Sequence, residues 1–490
     1  MFDEFEMFGG STGSAGRAAR VDVVERLGGP SPAPAALEPA PPFLILEAGQ
    51  DPSRLAAYHR LRRQEFVARQ GLFADSDLDA ADGDPNTRVL IALGRDGDVL
   101  GGVRVHPSQP GSEALGVWRG SRLVCRPSTQ SQRGVGAALV RAACAVAGEL
   151  GALRFEATVQ ARHERFFAQL GWDRVAAAQF AGAPHVVMRW PLTRFATLAS
   201  TFKAEISPLV GDLLPQDVWR GDDAYPLAGS DLVTCVDAIT PSMVERDPEW
   251  AGWCGVLVTA HDIAAMGAVP VAALDALGAR DAVHAAQVIA GIRAASQAFA
   301  LPIVGGHTQL GVPAALAMTG LGRTPAPVPA GGGRLGDVLS VTADLSGGWR
   351  PGYRGRQWDS TSFKGREELT AMLATVADRR PRAAKDVSMA GIVGTVGMLA
   401  EACGLGVELD VAAIPCPAGA QLADWLTCFP GYGVITVDAP GAPPVRAAGA
   451  VSASCGVLTR EPGVRLRWPD GEITTAIADP SITGLGAAHA

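Results

Sequence analysis

Two apolar segments of this 490-residue chain each carry a single aspartate that the rest of the segment cannot satisfy. LVTCVDAIT holds Asp237 near the end of a strand pattern. HDIAAMGAVP, residues 261–270, holds Asp262 at the start of an Ala-rich helical one. A carboxylate removed from water without a partner is costly, so a fold that buries these segments must supply both groups with water or a cation. At helical spacing Val258, Asp262 and Ala265 share one face and Leu257, Ala260 and Ala264 another, which lets the carboxylate look into a cleft while the apolar stripe packs. Gly267 then ends the helix and Pro270 prevents its continuation.

Further aspartates stand at punctuation points. GDDAYPL places Asp222 and Asp223 in a turn, and AAKDVSMAG places Asp386 before a helix. Asp222 reads equally as a turn former and Asp386 as a helix N-cap. Dispersed carboxylates that converge on a triphosphate suit magnesium, which keeps some water and shares its shell with substrate phosphates. No GxxxxGK[ST] loop occurs, and the only lysines are Lys203, Lys364 and Lys385. A nucleotide site here is not a P-loop site.

Composition narrows the partners. A net charge of −8 and a pI of about 5.6 argue against nucleic acid, and small-molecule substrates remain. No apolar run reaches the roughly 20 residues needed to cross a bilayer, so no membrane partner is expected. The first residues, MFDEFEMFGG, are acidic where an export signal is basic. Eight cysteines without a CxxC pair fit reduced thiols in a cytoplasmic protein.

The pattern along the chain predicts a disordered tail over 1–41, an α/β domain over 42–195, a connecting helix over 196–216, two further α/β parts over 217–325 and 326–475, and a tail over 476–490. In the first domain, a helix over 53–71 is followed by strands TRVLIALGR, VLGGVRVHP and SRLVCRP. The helix GVGAALVRAACAVAGELG, the strand LRFEATVQ and the helix HERFFAQLGW complete it.

Gly134 and Gly136 sit between a strand and a helix in CRPSTQSQRGVGAALVRAA. Freed N–H groups at such a turn can hold a pyrophosphate, and glycine lets the backbone approach. With LRRQEFVARQG, DSDLDAADGD, GGVRVHP, RGVGAAL and VQARHERFFAQLGW in this order, residues 44–192 resemble the GCN5-related N-acetyltransferase (GNAT) family. The resemblance implies acetyl-CoA, with Gln132, Arg133, Gly134 and Gly136 at its pyrophosphate. Ser131 replaces an Arg or Gln of the family pattern, and Phe167 replaces a Tyr that often serves as general acid. A phenyl ring donates no proton, so His163 or Glu65 would have to serve, or water.

GDDA, VTCVDA, HDIAAMGAVP, GGHTQLG, GRLGDVLSVT and KDVSMAGIVGTVGMLAEACGLGVELD together resemble the aminoimidazole ribonucleotide (AIR) synthetase-like superfamily over 217–440, with GDDA and HDIAAMGA nearest the thiamine-monophosphate kinase pattern. That implies an N-terminal half that pairs across a homodimer and a C-terminal α/β half. It also implies Mg-ATP held by Asp222, Asp223, Asp237, Asp262 and Asp386, with Asp262 at the catalytic centre and Gly221, Gly305, Gly306, His307 and Lys385 around the nucleotide. His307 replaces an Asp of the kinase pattern, and Val-Ser-Met-Ala-Gly follows Asp386 where the family has Ser-Asp-Gly.

The expected architecture is therefore mixed α/β and α+β, a GNAT-like mixed-sheet domain ahead of a two-part AIR synthetase-like module. The pairing resembles a bacterial family whose halves also occur as neighbouring genes beside a nitrilase and a radical enzyme. The expected function is a bifunctional enzyme: an acyl transfer to an amine, and an ATP-dependent phosphoryl transfer to an amide or carboxylate oxygen of a nitrogen-containing metabolite. The alternative is a sensor or scaffold that binds both ligands without turnover. SGGWRPGYRGRQWDSTSFKG, residues 346–365, mixes Arg350, Arg354, Arg356 and Lys364 with aromatics and reads either as a substrate lid or as a surface loop.

Overall fold

The computed structural model describes residues 43–49, 51–127, 134–203 and 206–488. They form two compact units divided in sequence between Leu192 and Thr193. The expected tail over 1–41 lies outside the described residues.

The first unit runs β1 (Phe43–Glu47), α1 (Pro52–Arg62), β2 (Arg88–Gly94), β3 (Val99–Pro107), β4 (Val117–Cys125), α2 (Val135–Glu149), β5 (Arg154–Gln160), α3 (Glu164–Gln169), β6 (Asp173–Phe180) and β7 (Ala183–Trp190). Its single sheet has the order β1-β2-β3-β4-β5-β7-β6. Only β4 and β5 run parallel, over Val117–Gly120 and Arg154–Ala157. Asp51 caps α1 by accepting the N–H groups of Ser53 and Arg54, and Pro52 fits the first turn. The expected single helix over 53–71 changes at Arg62 into a π-helical turn, Arg63–Arg69. DSDLDAADGD folds inward to meet the arginines. Asp77 accepts from buried Arg62 at 2.7 Å, and Asp79 accepts from Arg104 at 2.6 Å and from Arg122 at 2.9 Å. Each buried charge there has an opposite one beside it, as burial requires.

The β6–β7 hairpin was not expected. Its first strand is Ala-rich, weak in strand preference, and its two-residue turn is Ala181-Gly182, both at positive φ (49° and 73°). Such a turn normally announces itself with Asn-Gly or Asp-Gly.

The second unit begins with α4 (Arg194–Lys203) and α5 (Ile206–Val210), two short helices where one connecting helix was expected. β8 (Tyr225–Pro226), β9 (Leu232–Ile239), α6 (Pro241–Arg246), α7 (Pro248–Ala265), β10 (Val269–Ala279), α8 (Ala282–Ala298), β11 (Ile303–Leu310) and β12 (Ala315–Arg323) follow. The sheet order is β11-β10-β12-β9-β8. Helix α7 lies on one face of it, and glycines allow the contact. A Cβ on Gly320 would stand 2.4 Å from Thr259 Cγ2, and one on Gly322 would stand 2.3 Å from Ile263 Cγ2. The same device joins α7 to α8, where a Cβ on Gly291 would meet the Glu249 carbonyl oxygen at 1.8 Å.

The remainder comprises β13 (Val338–Ala343), β14 (Gly348–Trp349), β15 (Gln357–Asp359), α9 (Arg366–Leu373), α10 (Thr375–Arg379), β16 (Ala383–Asp386), α11 (Gly391–Ala402), β17 (Gly406–Asp410), α12 (Leu422–Thr427), β18 (Phe429–Pro430), β19 (Gly433–Asp438), β20 (Val451–Thr459), β21 (Val464–Arg467) and β22 (Ile473–Ile477). Seven of these strands make a sheet of order β16-β19-β13-β20-β17-β21-β22, and β14-β15-β18 make a small one. Residues 346–365 therefore supply β14 and β15, with Tyr353, Gln357, Trp358, Ser360 and Thr361 buried and Arg354, Arg356 and Phe363 exposed. Trp358 is buried and donates to the Ser346 carbonyl at 2.6 Å, and Arg350 stacks on Trp250 at 4.3 Å.

The expected tail over 476–490 is corrected by its contacts. Ile482 is buried, and the Glu401 carboxylate accepts the N–H groups of Thr483 (2.8 Å) and Gly486 (3.1 Å). The segment then crosses the GDD turn. Arg220 donates to the Leu485 carbonyl at 3.0 Å, and the Leu485 side chain lies over Gly221.

Candidate functional site

Helix α7 is longer than the sequence pattern implied, so Asp262 stands in its last turn, not its first. The helix is buried almost throughout, and Asp262 is 7% exposed. Asp386, also buried, ends β16 and caps no helix. The GDD turn brings Asp223 to both. One ligand oxygen from each of Asp223, Asp262 and Asp386 lies within 4.8 Å of the others. Asp223 is anchored twice: it accepts the Asp386 N–H at 2.9 Å and pairs with Lys385. The ammonium of Lys385 also donates to the Gly221 carbonyl at 3.3 Å.

Charge is badly balanced here. Burial, reinforced by Asp237 and Asp386, pushes the Asp262 carboxyl well above its usual range. Burial and Asp223 do the same to Asp386, and burial raises Asp237, which a hydrogen bond with Asp262 partly offsets. Burial works against the charge of Lys385, but Asp223 outweighs it and holds the amine protonated. One buried ammonium thus faces four carboxylates. Lys203, at the end of α4, adds a second positive charge felt by both Asp237 and Asp386. Sequence reasoning did not select Lys203; its rarity, as one of three lysines, was the available signal.

Four of the expected site residues, Asp222, Gly305, Gly306 and His307, fall elsewhere. Asp222 turns away from the cluster and accepts the Ala330 N–H at 2.5 Å, fixing the link between the two halves. Its other oxygen is buried without a hydrogen bond, and burial raises the carboxyl to about 7. His307 pairs with Ala276 on β10, whereas Asp237 pairs with Met318 and so aligns with Asp275. Alternation along β10 puts Ala276 and Asp275 on opposite faces, so His307 lies across the sheet from the carboxylates. Gly305 shares the His307 face. Gly306 shares the Asp275 face and leaves room for that side chain, whose Oδ1 would stand 2.3 Å from a Cβ there. Within one chain, Gly305, Gly306 and His307 are not part of the cluster.

Next to Asp262, His261 points into a different environment. Its ring contacts Phe299 and Tyr432 edge-on, burial lowers its pKa to about 4, and its Nε2 has no hydrogen bond.

In the first unit, β4 and β5 part after Gly120 and Ala157. Gly134, at φ 93°, begins α2, and Gly136 faces Cys125 and Phe166 at ordinary contact distance. Gln132 and Arg133 lie outside the described residues. Phe167 is a core residue, edge-on to Trp172 with ring centroids 5.4 Å apart, so no proton donor is missing from a cleft there. Glu65 is held by Arg69 and Gln70, and the Arg69 hydrogen bond lowers its pKa. It is a fixed anion and a weak base. His163 is exposed, with its pKa lowered by partial burial and then by Arg162.

Comparison with known proteins agrees with this architecture. Residues 221–324 and 336–468 match the AIR synthase related protein N-terminal and C-terminal domains, and residues 55–172 match the acetyltransferase (GNAT) family. The chain belongs to the AIR synthase related proteins and carries a GNAT domain ahead of them. Among its relatives, an uncharacterized protein of Synechocystis sp. is 39% identical over 46% of this chain and 72% of its own length. An uncharacterized protein of Methanocaldococcus jannaschii is 31% identical over 38% of this chain and 59% of its own. A thiamine-monophosphate kinase of Methanospirillum hungatei is 29% identical over 33% and 52% respectively. No helix among the described residues is long and apolar enough to cross a membrane.

Proposed function

We propose that this chain is a bifunctional cytoplasmic enzyme. Its second unit transfers a phosphoryl group from Mg-ATP to a small nitrogen-containing metabolite, and its first unit is an acetyl-CoA-dependent N-acyltransferase. The observation that carries the first half of this reading is the set Asp223, Asp262 and Asp386, with ligand oxygens within 4.8 Å and too little positive charge around them.

That donor set fits magnesium: oxygen ligands only, from carboxylates whose burial is unfavourable until a cation joins them. Bound there, magnesium neutralises charge on the transferring phosphoryl group. The chain's own contribution is positional. Lys385 and the Asp386 N–H hold Asp223 in place, and Lys203 adds positive charge beside the cluster. The kinship with a thiamine-monophosphate kinase supports ATP as the donor.

Acetyl-CoA is supported by the gap between β4 and β5 and by Gly134 at the start of α2. His163 is the base this reading assigns, since Glu65 is neutralised by Arg69. Eight unpaired cysteines suit a reducing compartment. We assign the open face of the five-stranded sheet, which exposes Val236 (67%), Leu274 (38%) and Val304 (63%), to a homodimer.

Calorimetry of Mg-ATP with the full chain tests the reading. Magnesium-dependent binding that disappears in Asp262→Asn supports it, and absence of nucleotide binding by the native chain refutes it.

A further inference from the structure

Four consecutive residues, Arg220 to Asp223, are each tied to a different part of the second unit, and one of these ties leads away from the carboxylate cluster. Asp223 accepts the Asp386 N–H, Asp222 accepts the Ala330 N–H, and the Gly221 carbonyl accepts from the Lys385 ammonium. Arg220 instead reaches the segment 482–488, donating to the Leu485 carbonyl at 3.0 Å. The same guanidinium donates to the carbonyls of Gly211 (3.3 Å), Leu214 (3.3 Å) and Pro215 (3.4 Å). The Leu485 side chain covers Gly221, where a Cβ would stand 3.4 Å from it.

The segment is fixed on its other side by α11. Glu401, 7% exposed, accepts the Thr483 N–H at 2.8 Å, the Thr483 hydroxyl at 3.1 Å and the Gly486 N–H at 3.1 Å. Ile482 packs so closely on the helix that a Cβ on Gly397 would stand 2.1 Å from its Cδ1, and the Ala488 N–H donates to the Ala402 carbonyl at 3.0 Å. Gly484 and Gly486, at φ 73° and 77°, let the chain bend between these anchors. Hydrogen bonds with one ionised partner are roughly twice as strong as neutral ones. Here a carboxylate on one side and a guanidinium on the other hold the same seven-residue segment.

The cluster gives a reason for so firm a hold. Asp223 brings a ligand oxygen to within 4.8 Å of those of Asp262 and Asp386, and like charges at that range favour a turn that moves away whenever no cation lies between them. The contact of Arg220 with Leu485 holds the main chain of the turn independently of the carboxylates. We propose that Arg220 and Glu401, acting through residues 482–488, are positioning residues for Asp223, so that seating of this segment and binding of magnesium with nucleotide at the cluster strengthen each other. This rests on the phosphoryl-transfer reading and adds to it a segment outside the carboxylate cluster.

Hydrogen–deuterium exchange of the full chain, read by mass spectrometry on the peptide that carries Thr483 and Gly486, tests it with magnesium and a non-hydrolysable ATP analogue as the probe. Linkage is reciprocal, so exchange there should be about fivefold slower or more with the probe bound, and Arg220→Ala should bind the probe about tenfold more weakly by calorimetry, with the protection reduced to match. Arg220→Lys, which can still donate to the Leu485 carbonyl, should recover part of the affinity. Glu401→Gln, of nearly the same size and with one acceptor oxygen left, should fall between Arg220→Ala and the native chain, and it carries the comparison if circular dichroism shows Arg220→Ala to be unfolded. A purely structural segment exchanges at the same rate with and without the probe. That result, in a native chain that calorimetry shows to bind, overturns the inference, as does native affinity in folded Arg220→Ala or Glu401→Gln. A native chain that binds no probe at all refutes the phosphoryl-transfer reading and this inference with it, so calorimetry tells the two failures apart.

Discussion

Asp223 takes the backbone N–H of Asp386 at 2.9 Å across 163 residues of sequence, so the GDD turn of one half is clamped to the strand end of the other by the same carboxylate that faces Asp262. On the proposed reading, a cation bound at the cluster would strengthen the docking of the two halves that this contact already makes. This coupling gives several expectations.

Asp262→Asn removes one negative charge from a buried cluster that already has too many. Without magnesium the variant should be more stable than the native chain, by about 1–3 kcal/mol, as read from urea unfolding. With magnesium and ATP the order should reverse, because the native chain gains binding free energy that the variant does not.

Asp222 should make the metal-free protein lose stability between about pH 4 and pH 7. Its folded pKa is raised to about 7 from 3.8. The folded state therefore favours the protonated acid, and its advantage is complete below the unfolded value and is lost as pH rises through the folded one. Full expression of that shift would be about 4 kcal/mol. Asp222→Asn keeps an acceptor for the Ala330 N–H and should flatten this part of the pH profile, as followed by thermal unfolding.

Phe167→Tyr tests whether the first unit merely lacks a phenol. Because Phe167 is packed against Trp172 in the core, the added hydroxyl should cost about 1–3 kcal/mol of stability and bring no gain in acyl transfer. A rise in acetyl-CoA turnover with unchanged stability would contradict the burial of this ring. His163→Ala should reduce acyl transfer by roughly 10²-fold or more.

Val236→Asp places a charge on the open sheet face. Sedimentation should show the native chain as a dimer and the variant as a monomer with unchanged secondary structure. A variant that still dimerises assigns the interface elsewhere.

Several parts of this molecule were readable from sequence because they follow local rules. Gly267 and Pro270 mark the end of α7, and Gly134 marks the start of α2. Asp237 and Asp262 stood out because they interrupt apolar segments, and the fold brings them together. What was hidden depends on pairing. The turn Ala181-Gly182 uses a residue type that rarely adopts positive φ, so the β6–β7 hairpin left no signature. Asp222 and Asp223 are adjacent and chemically identical, yet one holds Ala330 and the other joins the cluster. The placement of His307 across the sheet followed from strand register, which a single sequence does not print.

The strap over the GDD turn also bears on how this protein is made. Arg220 reaches the Leu485 carbonyl across 265 residues. At about 5–20 residues per second of synthesis, the turn leaves the ribosome roughly 13–53 s before its clamp exists. For the earlier part of that interval, until Asp386 is made 163 residues after Asp223, the turn has neither the strap nor the Asp386 N–H to hold it.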